Sequence, residues 1–321
     1  MTDPRRRALR AVAILVVGTA AAAAAAPAGA QGAGAEWPAL VQRYEAAVQR
    51  APGDPGAHFT LAMLYARDGR LLDGWKHLQE ADRAAGPGRR LAMARQVAVE
   101  AQALLRRNPK IFLGYSDITA LHLGIHGQTG LVTLHGPVAL SAFNDWTLDH
   151  FKRAVFEPRP LGVLSNPPEP RPMRPRHMTR TIRPGKASGP LIGGNLSLIS
   201  TTLGTPWEIQ TQGKILFLED VDEPPYSVDR MLTHLRLAGK FNGIRGLVIG
   251  ECADCVPRRA SSEGGFSLGE IYDNILGDLD VPVLSGLVIG HTDDQLTLPL
   301  GVQATLDAGA ATLTIEEAAT Q

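Results

Sequence analysis

The sequence predicts an α/β protein with an N-terminal all-α, repeat-like module, and three features predict it. Short apolar runs bounded by glycine recur past residue 108, at 111–113, 131–134, 215–218, 247–249 and 283–289. Runs of that length suit strands buried on both faces, with helices between them. Before residue 107 the texture differs: Trp37, Leu40, Val41, Tyr44 and Val48 recur at three- and four-residue steps until Pro52-Gly53-Asp54-Pro55 breaks them. The third feature is bulk, since 321 residues with 44% hydrophobic and 20% charged side chains hold apolar material for two ordinary domains. Lys+Arg 32 balance Asp+Glu 32, so no global field is available to hold a polyanion, which argues against nucleic acid as a partner.

The first element is an address. Arg5-Arg6-Arg7 and Arg10 precede Ala11-Val12-Ala13-Ile14-Leu15-Val16-Val17, an alanine tract and Ala28-Gly29-Ala30. That basic, apolar, small-residue order is expected of a secretory signal over residues 1–30, cleaved after Ala30. Its strongly apolar part is short for a bilayer core about 30 Å thick. The alternatives are an uncleaved tether, which would make the membrane a partner, and a twin-arginine signal. Each places the mature chain outside the cytoplasm, in the periplasm or secreted. No cysteine follows the apolar stretch, so a lipid anchor is not supported.

The helical module is expected over 36–107. Within it Leu61, Ala62, Tyr65, Gly69, Gly74, Ala81 and Pro87 resemble one tetratricopeptide repeat, and Ala47 and Pro52 resemble the second half of a preceding one, so that the likeness covers 36–88. It departs at Gly74, where alanine is usual. Such arrays need about three units to bury a continuous core. The module offers a groove for a protein partner, or serves as a helical spacer.

Residues 108–156 then read as a strand, a helix-like stretch and a second strand, and 157–188 as a proline-rich linker or cover segment. Glu157-Pro158-Arg159-Pro160, Pro167-Pro168-Glu169-Pro170-Arg171-Pro172 and Arg183-Pro184-Gly185 are too proline-rich for the interior of either regular element. A further α/β domain follows over 189–318.

Three places carry chemistry. Ile111-Phe112-Leu113-Gly114-Tyr115-Ser116-Asp117-Ile118 sets a serine between a short strand and an apolar-periodic helix. This is the arrangement of a nucleophile elbow, in which a sharp turn lifts the hydroxyl and the first N–H groups of the helix face the developing oxyanion. Ser-Asp at a helix start is also a common N-cap, and spacing alone favours that reading. Gly213-Lys214-Ile215-Leu216-Phe217-Leu218-Glu219-Asp220 ends an apolar run in two carboxylates, one able to orient a histidine, or both solvated in a loop. Leu287-Val288-Ile289-Gly290-His291 ends a run in an imidazole, the best-placed base. His135, in Leu134-His135-Gly136-Pro137, is its rival. The other histidines, His58, His77, His122, His126, His150, His177 and His234, lie on helix-like or linker segments and read as surface or packing residues.

Together these stretches resemble the LD-carboxypeptidase family of serine peptidases. The likeness runs over about residues 106–318, through Asn108-Pro109-Lys110 and the elbow, His135-Gly136-Pro137, Gly189-Pro190-Leu191-Ile192-Gly193-Gly194-Asn195-Leu196-Ser197, Phe217-Leu218-Glu219-Asp220, Pro225-Tyr226-Ser227-Val228-Asp229-Arg230-Met231-Leu232, Gly290-His291-Thr292 and Leu298-Pro299-Leu300-Gly301. The resemblance implies a Ser-Glu-His triad: Ser116 as nucleophile, His291 as base, Glu219 holding the imidazole, and the Asp117 backbone N–H as an oxyanion donor. It implies release of terminal D-alanine from murein tetrapeptides, with no metal and no organic cofactor.

The chain also departs from the family. Intact members carry a further α/β segment before the elbow, with an Arg-Gly-Gly-Tyr-Gly-like loop near the reaction centre, and no Gly-Gly-Tyr-Gly occurs here. The nucleophile half-domain over 108–156 therefore reads as truncated, its strand at 111–113 expected to lack parallel neighbours. If the absent loop supplies the second oxyanion donor, turnover falls by about 10²–10³. The alternative function is a catalytically inactive, rearranged peptidase acting as a binding scaffold. Cys252 and Cys255 form a single Cys-x-x-Cys with no second half for zinc, read as a local disulfide or two reduced thiols. Asn195-Leu196-Ser197 fits the glycosylation pattern, but the glycine pair before it reads as a packed turn.

Overall fold

The computed structural model describes residues 36–68, 70–86, 88, 102, 105–168, 176–257 and 265–320. The expected signal at 1–30 and part of the proline-rich stretch lie outside them. The chain divides into two compact units, Met1–Lys110 and Ile111–Gln321.

Among the described residues of the first unit, helices α1 (Glu36–Arg50), α2 (Pro55–Arg67) and α3 (Leu71–Ala84) follow one another. The Pro52–Pro55 break works as a helix start. Asp54 caps α2 by accepting the Gly56 N–H at 2.8 Å, and Pro55 takes a first-turn position where its missing N–H costs nothing. Val41, Leu61, Leu64 and Tyr65 form one buried cluster, and Phe59, Ala62, Leu78, Ala81 and Ala85 another. Gly74 has a packing reason: a Cβ there would lie 3.0 Å from the Ala62 carbonyl oxygen, so α2 and α3 approach backbone to backbone.

The second unit is α/β. Its larger sheet has eight strands in the order β3-β11-β10-β5-β6-β7-β8-β4, comprising β3 (Pro160–Leu164), β4 (Arg180–Arg183), β5 (Lys186–Asn195), β6 (Ile215–Glu219), β7 (Gly246–Gly250), β8 (Val283–Leu287), β10 (Gln303–Asp307) and β11 (Thr312–Ala318). The central run β5-β6-β7-β8 is parallel. Ile215, Leu216, Phe217 and Leu218 are buried without alternation, as expected of a strand covered on both faces. Helices α6 (Leu196–Thr202), α7 (Pro225–Leu237) and α8 (Leu268–Leu276) follow β5, β6 and β7 in the chain.

The proline-rich stretch 157–188 is not a plain linker. It supplies β3 and β4, the two edge strands, paired antiparallel to β11 and β8. Proline is compatible with an edge, because only one side of the ladder needs its N–H groups, and Pro160 opens β3 while Pro184 follows β4. Nor is the Gly193-Gly194 pair a turn. It lies inside β5, just before the strand's last residue, where a Cβ on Gly193 would lie 1.9 Å from the Phe217 carbonyl oxygen and one on Gly194 2.5 Å from Thr119 Oγ1. Both glycines are there for close approach.

The smaller sheet holds the elbow and has the order β1-β2-β9, from β1 (Leu113–Gly114), β2 (Thr133–His135) and β9 (Leu298–Leu300). Here the expectation of a strand without parallel neighbours is corrected. β1 pairs parallel with β2, Leu113 opposite Leu134 and Gly114 opposite His135. Helix α4 (Thr119–Thr129) makes the crossover, and β9, from the far end of the chain, closes the sheet antiparallel to β2. Helix α5 (Asp145–Phe156) follows, capped by Asn144, whose Oδ1 accepts the Thr147 N–H at 2.9 Å.

Candidate active site

The parallel strands β5, β6 and β7 end in line at Asn195, Glu219 and Gly250, and β8 runs on into the loop that carries His291. Carboxyl ends of parallel strands are where open α/β sheets keep their sites.

Ser116 opens a short 3₁₀ turn, Ser116–Ile118, that follows β1 after Tyr115 and runs into α4. Its φ is +61°, a left-handed value that a non-glycine residue adopts only when its surroundings impose it. Gly114 allows the turn to be tight, since a Cβ there would come within 2.9 Å of the Ile118 side chain. Buried His122, from α4, donates its Nε2–H to the Gly114 carbonyl at 2.8 Å and pins the strand below the turn. Thr119 Oγ1 accepts the Asn195 N–H at 2.9 Å and so docks the elbow helix on the end of β5. The serine is not an N-cap: the turn has no side-chain cap, and among the described residues the Ser116 hydroxyl has no intramolecular hydrogen bond. Asp117 follows it and is exposed.

Glu219 and His291 meet. Imidazole Nδ1 lies 2.8 Å from Glu219 Oε2, and since an ionised carboxylate only accepts, Nδ1 carries the proton and Nε2 is left as an acceptor. The carboxylate is fully buried and the imidazole partly exposed. Burial raises the Glu219 pKa above the usual carboxylate value, opposed by the hydrogen bond and charge of His291. The Tyr115 ring meets the His291 ring edge-on with centroids 4.8 Å apart, which brings the imidazole beside the residue that precedes the serine.

Asp220 is buried too, but its work is structural. It accepts from Asn195 Nδ2 (3.0 Å), the Ser197 N–H (2.9 Å), Ser197 Oγ (2.8 Å) and the Val221 N–H (2.9 Å), tying the start of α6 to the end of β6. Neither acid is solvated in a loop. Asn195, almost fully buried, accepts the Leu198 N–H and caps α6, which leaves no room for a glycan.

The rival, His135, is buried with neither ring nitrogen hydrogen-bonded among the described residues, and it packs edge-on against Phe217 at 5.2 Å. Burial, with the neighbouring His122 and His291, holds its pKa well below that of a free imidazole. Among the described residues no carboxylate orients it. Cys252 and Cys255 are joined in a disulfide just past β7, and among the described residues no cluster of His, Cys, Asp and Glu is arranged to hold a metal ion.

Sequence reasoning missed one residue. His177 is nearly buried, not a surface group, with Nδ1 2.5 Å from Glu251 Oε2 and Nε2 3.0 Å from Asp294 Oδ2. Its setting among prolines and arginines gave no pattern from which two partners so distant in the chain could be read.

Residues 91–136 match the LD-carboxypeptidase N-terminal domain and residues 188–306 the LD-carboxypeptidase C-terminal domain. A solved structure, the muramoyltetrapeptide carboxypeptidase from Oxalobacter formigenes, superimposes with a TM-score of 0.57 at 30% identity, over 67% of this chain and 71% of that one. The chain belongs to the LD-carboxypeptidase family. Among its relatives, a probable murein peptide carboxypeptidase of Bacillus subtilis is 39% identical over 219 residues, 67% of this chain and 65% of that protein. The microcin C7 self-immunity protein MccF of Escherichia coli is 30% identical over 235 residues, 65% of this chain and 66% of that protein. A structure of MccF in complex with glutamyl sulfamoyl guanosine superimposes with a TM-score of 0.60 at 28% identity, over 68% of this chain and 71% of that one. The chain thus spans about two thirds of the length of the curated LD-carboxypeptidase relatives it matches.

Proposed function

We propose that this chain is a serine LD-carboxypeptidase that releases terminal D-alanine from murein tetrapeptides. The observation that carries the reading is the Glu219–His291 hydrogen bond at the strand ends, beside an elbow that holds Ser116 at φ +61°. In this reading His291 Nε2 takes the Ser116 proton as Oγ attacks the carbonyl carbon of the L,D-amide bond. The oxyanion is met by the Asp117 N–H at the start of the helical turn, and the imidazolium is stabilised by Glu219. The tetrahedral intermediate then collapses as His291 returns the proton to the departing amine of D-alanine, and water repeats the sequence on the acyl-enzyme. The serine–histidine bond is expected to close on substrate binding, as such bonds often do. Neither metal nor organic cofactor enters these steps. The arginine-led segment at 1–30 supports a site of action outside the cytoplasm.

The test is labelling of Ser116 by a fluorophosphonate, together with release of D-alanine from a tetrapeptide. Folded protein that is neither labelled nor active would end this reading.

A second reading, an inactive scaffold that binds a protein partner through the helical module expected over 36–107, is favoured by the absence of Gly-Gly-Tyr-Gly and by a β1 of two residues paired on one side only among the described residues. Partner capture unaffected by Ser116→Ala would support it. Loss of cell-wall turnover in that variant would count against it.

A further inference from the structure

His291 is carried by the stretch between β8 and β9, which is held mainly by side chains. From α5, Asn144 Nδ2 donates to the Asp293 carbonyl at 3.1 Å and to Asp294 Oδ1 at 2.7 Å, and Thr147 Oγ1 accepts the Gln295 N–H at 2.9 Å. From the other side comes His177, whose Nε2 contacts Asp294 Oδ2 at 3.0 Å while Nδ1 contacts Glu251 Oε2 at 2.5 Å. Arg176, also within 4 Å of Asp293 and Asp294, flanks the same carboxylates.

The two ends of this bridge are not arbitrary. Asp294 lies three residues past the imidazole. Glu251 directly follows Gly250, which packs on Glu219 so closely that a Cβ would lie 3.0 Å from the Glu219 Cβ, and the Glu251 N–H donates to the Leu287 carbonyl at 2.8 Å. The His177 ring therefore joins the stretch that carries the base to the strand end that backs the carboxylate. Because ionised carboxylates offer only acceptors, the bridge needs two N–H donors pointing two ways, which the ring supplies with a proton on each nitrogen.

We propose that His177 is a positioning residue for the Glu219–His291 pair, a cross-brace that fixes the imidazole on Glu219 and beside the Ser116 elbow. The inference rests on the reading of Ser116 and His291 as reacting partners. The experiment uses the full chain with His177→Gln, Glu251→Gln and the double variant, each checked for folding by thermal unfolding. A glutamine at 177 can donate to one carboxylate but turns its carbonyl toward the other. A glutamine at 251 supplies the missing donor, so the double variant rebuilds the chain of hydrogen bonds.

In folded His177→Gln the fluorophosphonate labelling rate of Ser116 is expected to fall about 10–100-fold, the usual scale for a small misplacement of reacting groups, with kcat lowered and KM unchanged. Glu251→Gln, which still offers the ring an acceptor, should lose far less. The double variant should recover most of the loss, which simple loss of packing would not allow. The Nδ1–H proton resonance of His291 should shift or broaden in His177→Gln. This last readout needs no activity: if wild-type protein is never labelled, the proposed function fails while the resonance still tests the brace. Labelling within about twofold of wild type in folded His177→Gln, an unmoved His291 resonance, or a double variant no better than the single would overturn the proposal.

Discussion

The hydrogen bond between His291 and Glu219 exists because the residue before the imidazole has no side chain. Gly290 has a φ of +86°, and a Cβ on it would lie 1.9 Å from Glu219 Oε2, inside the oxygen that Nδ1 contacts at 2.8 Å. Gly290→Ala is therefore expected to push the carboxylate away from the imidazole. The labelling rate of Ser116 should fall by about 10²-fold or more, since the tautomer and the height of the base are lost together. Stopped-time labelling on folded protein measures this, and an unchanged rate would show that the pair is not needed.

The two adjacent carboxylates should separate cleanly by mutation. Glu219→Gln keeps its size and its buried place but can no longer fix the Nδ1–H tautomer, so a loss of about 10³–10⁴ in labelling or turnover is expected, with little change in unfolding. Asp220→Asn instead sets an amide N–H donor against N–H donors that face a carboxylate oxygen in the native chain, at the start of α6 and at Val221. That should cost about 1–3 kcal/mol of stability with much smaller effects on chemistry. Urea unfolding and probe labelling, measured on both variants, distinguish the two roles. If Asp220→Asn abolished labelling while leaving stability intact, the assignment would be reversed.

How much of this was legible beforehand differs by element. The parallel strands β6 and β7 are visible because strands buried on both faces write themselves as unbroken apolar runs, as at 215–218, and β8 because its run is interrupted only by Ser285 and Gly286. The edge strands are not, because Pro160 and Pro184 mask a ladder that needs N–H groups on one side only. β9, β10 and β11 carry no glycine-bounded run of that length, and their pairing, with β9 added to the elbow sheet, is set by contacts between distant parts of the chain. At the site, Ser116, Glu219 and His291 stand out as candidates because each follows an apolar run, but their roles as a triad come only from the resemblance to the LD-carboxypeptidase family, spacing alone favouring an N-cap for the serine. The division of labour between Glu219 and Asp220 could not be derived from spacing, because it depends on which carboxylate faces His291 and which faces the start of α6. His177 was invisible for the same reason: both partners lie more than seventy residues away.

Reducing the Cys252–Cys255 disulfide should soften the strand end that backs Glu219. The loop it closes contains Ala253, which forms a parallel bridge with Val221 and whose carbonyl accepts the Asp222 N–H at 2.9 Å, just past the two carboxylates. A closed loop this short constrains the unfolded chain modestly, so reduction or Cys252→Ser is expected to cost about 2 kcal/mol. Unfolding midpoints with and without reductant measure it. No shift in midpoint would mean that the hydrogen bonds of the loop hold it without the covalent link.

Acid should destabilise the elbow through the histidines beneath it. Burial lowers the His122 pKa to about 4 in the folded chain, from the ordinary imidazole value of 6.5. Below pH 6.5 the unfolded chain binds a proton that the folded chain refuses. The stability is therefore fully present above 6.5, falls as pH drops toward 4, and levels off below it. The difference amounts to about 3 kcal/mol across that window. Fully buried His135 shifts in the same direction and adds to the slope. Glu219 works against them, because its raised pKa lets the folded chain bind a proton more readily, so protonating that carboxyl returns some stability as pH falls through its folded value. The net expectation is a loss between pH 6.5 and 4, shallower than the two histidines alone would produce. Urea unfolding at steps of pH across this window measures it. His122→Gln, which keeps a donor for the Gly114 carbonyl but does not titrate, should flatten the profile; a wild-type profile already flat, or one unchanged in the variant, would remove the buried histidines as its cause.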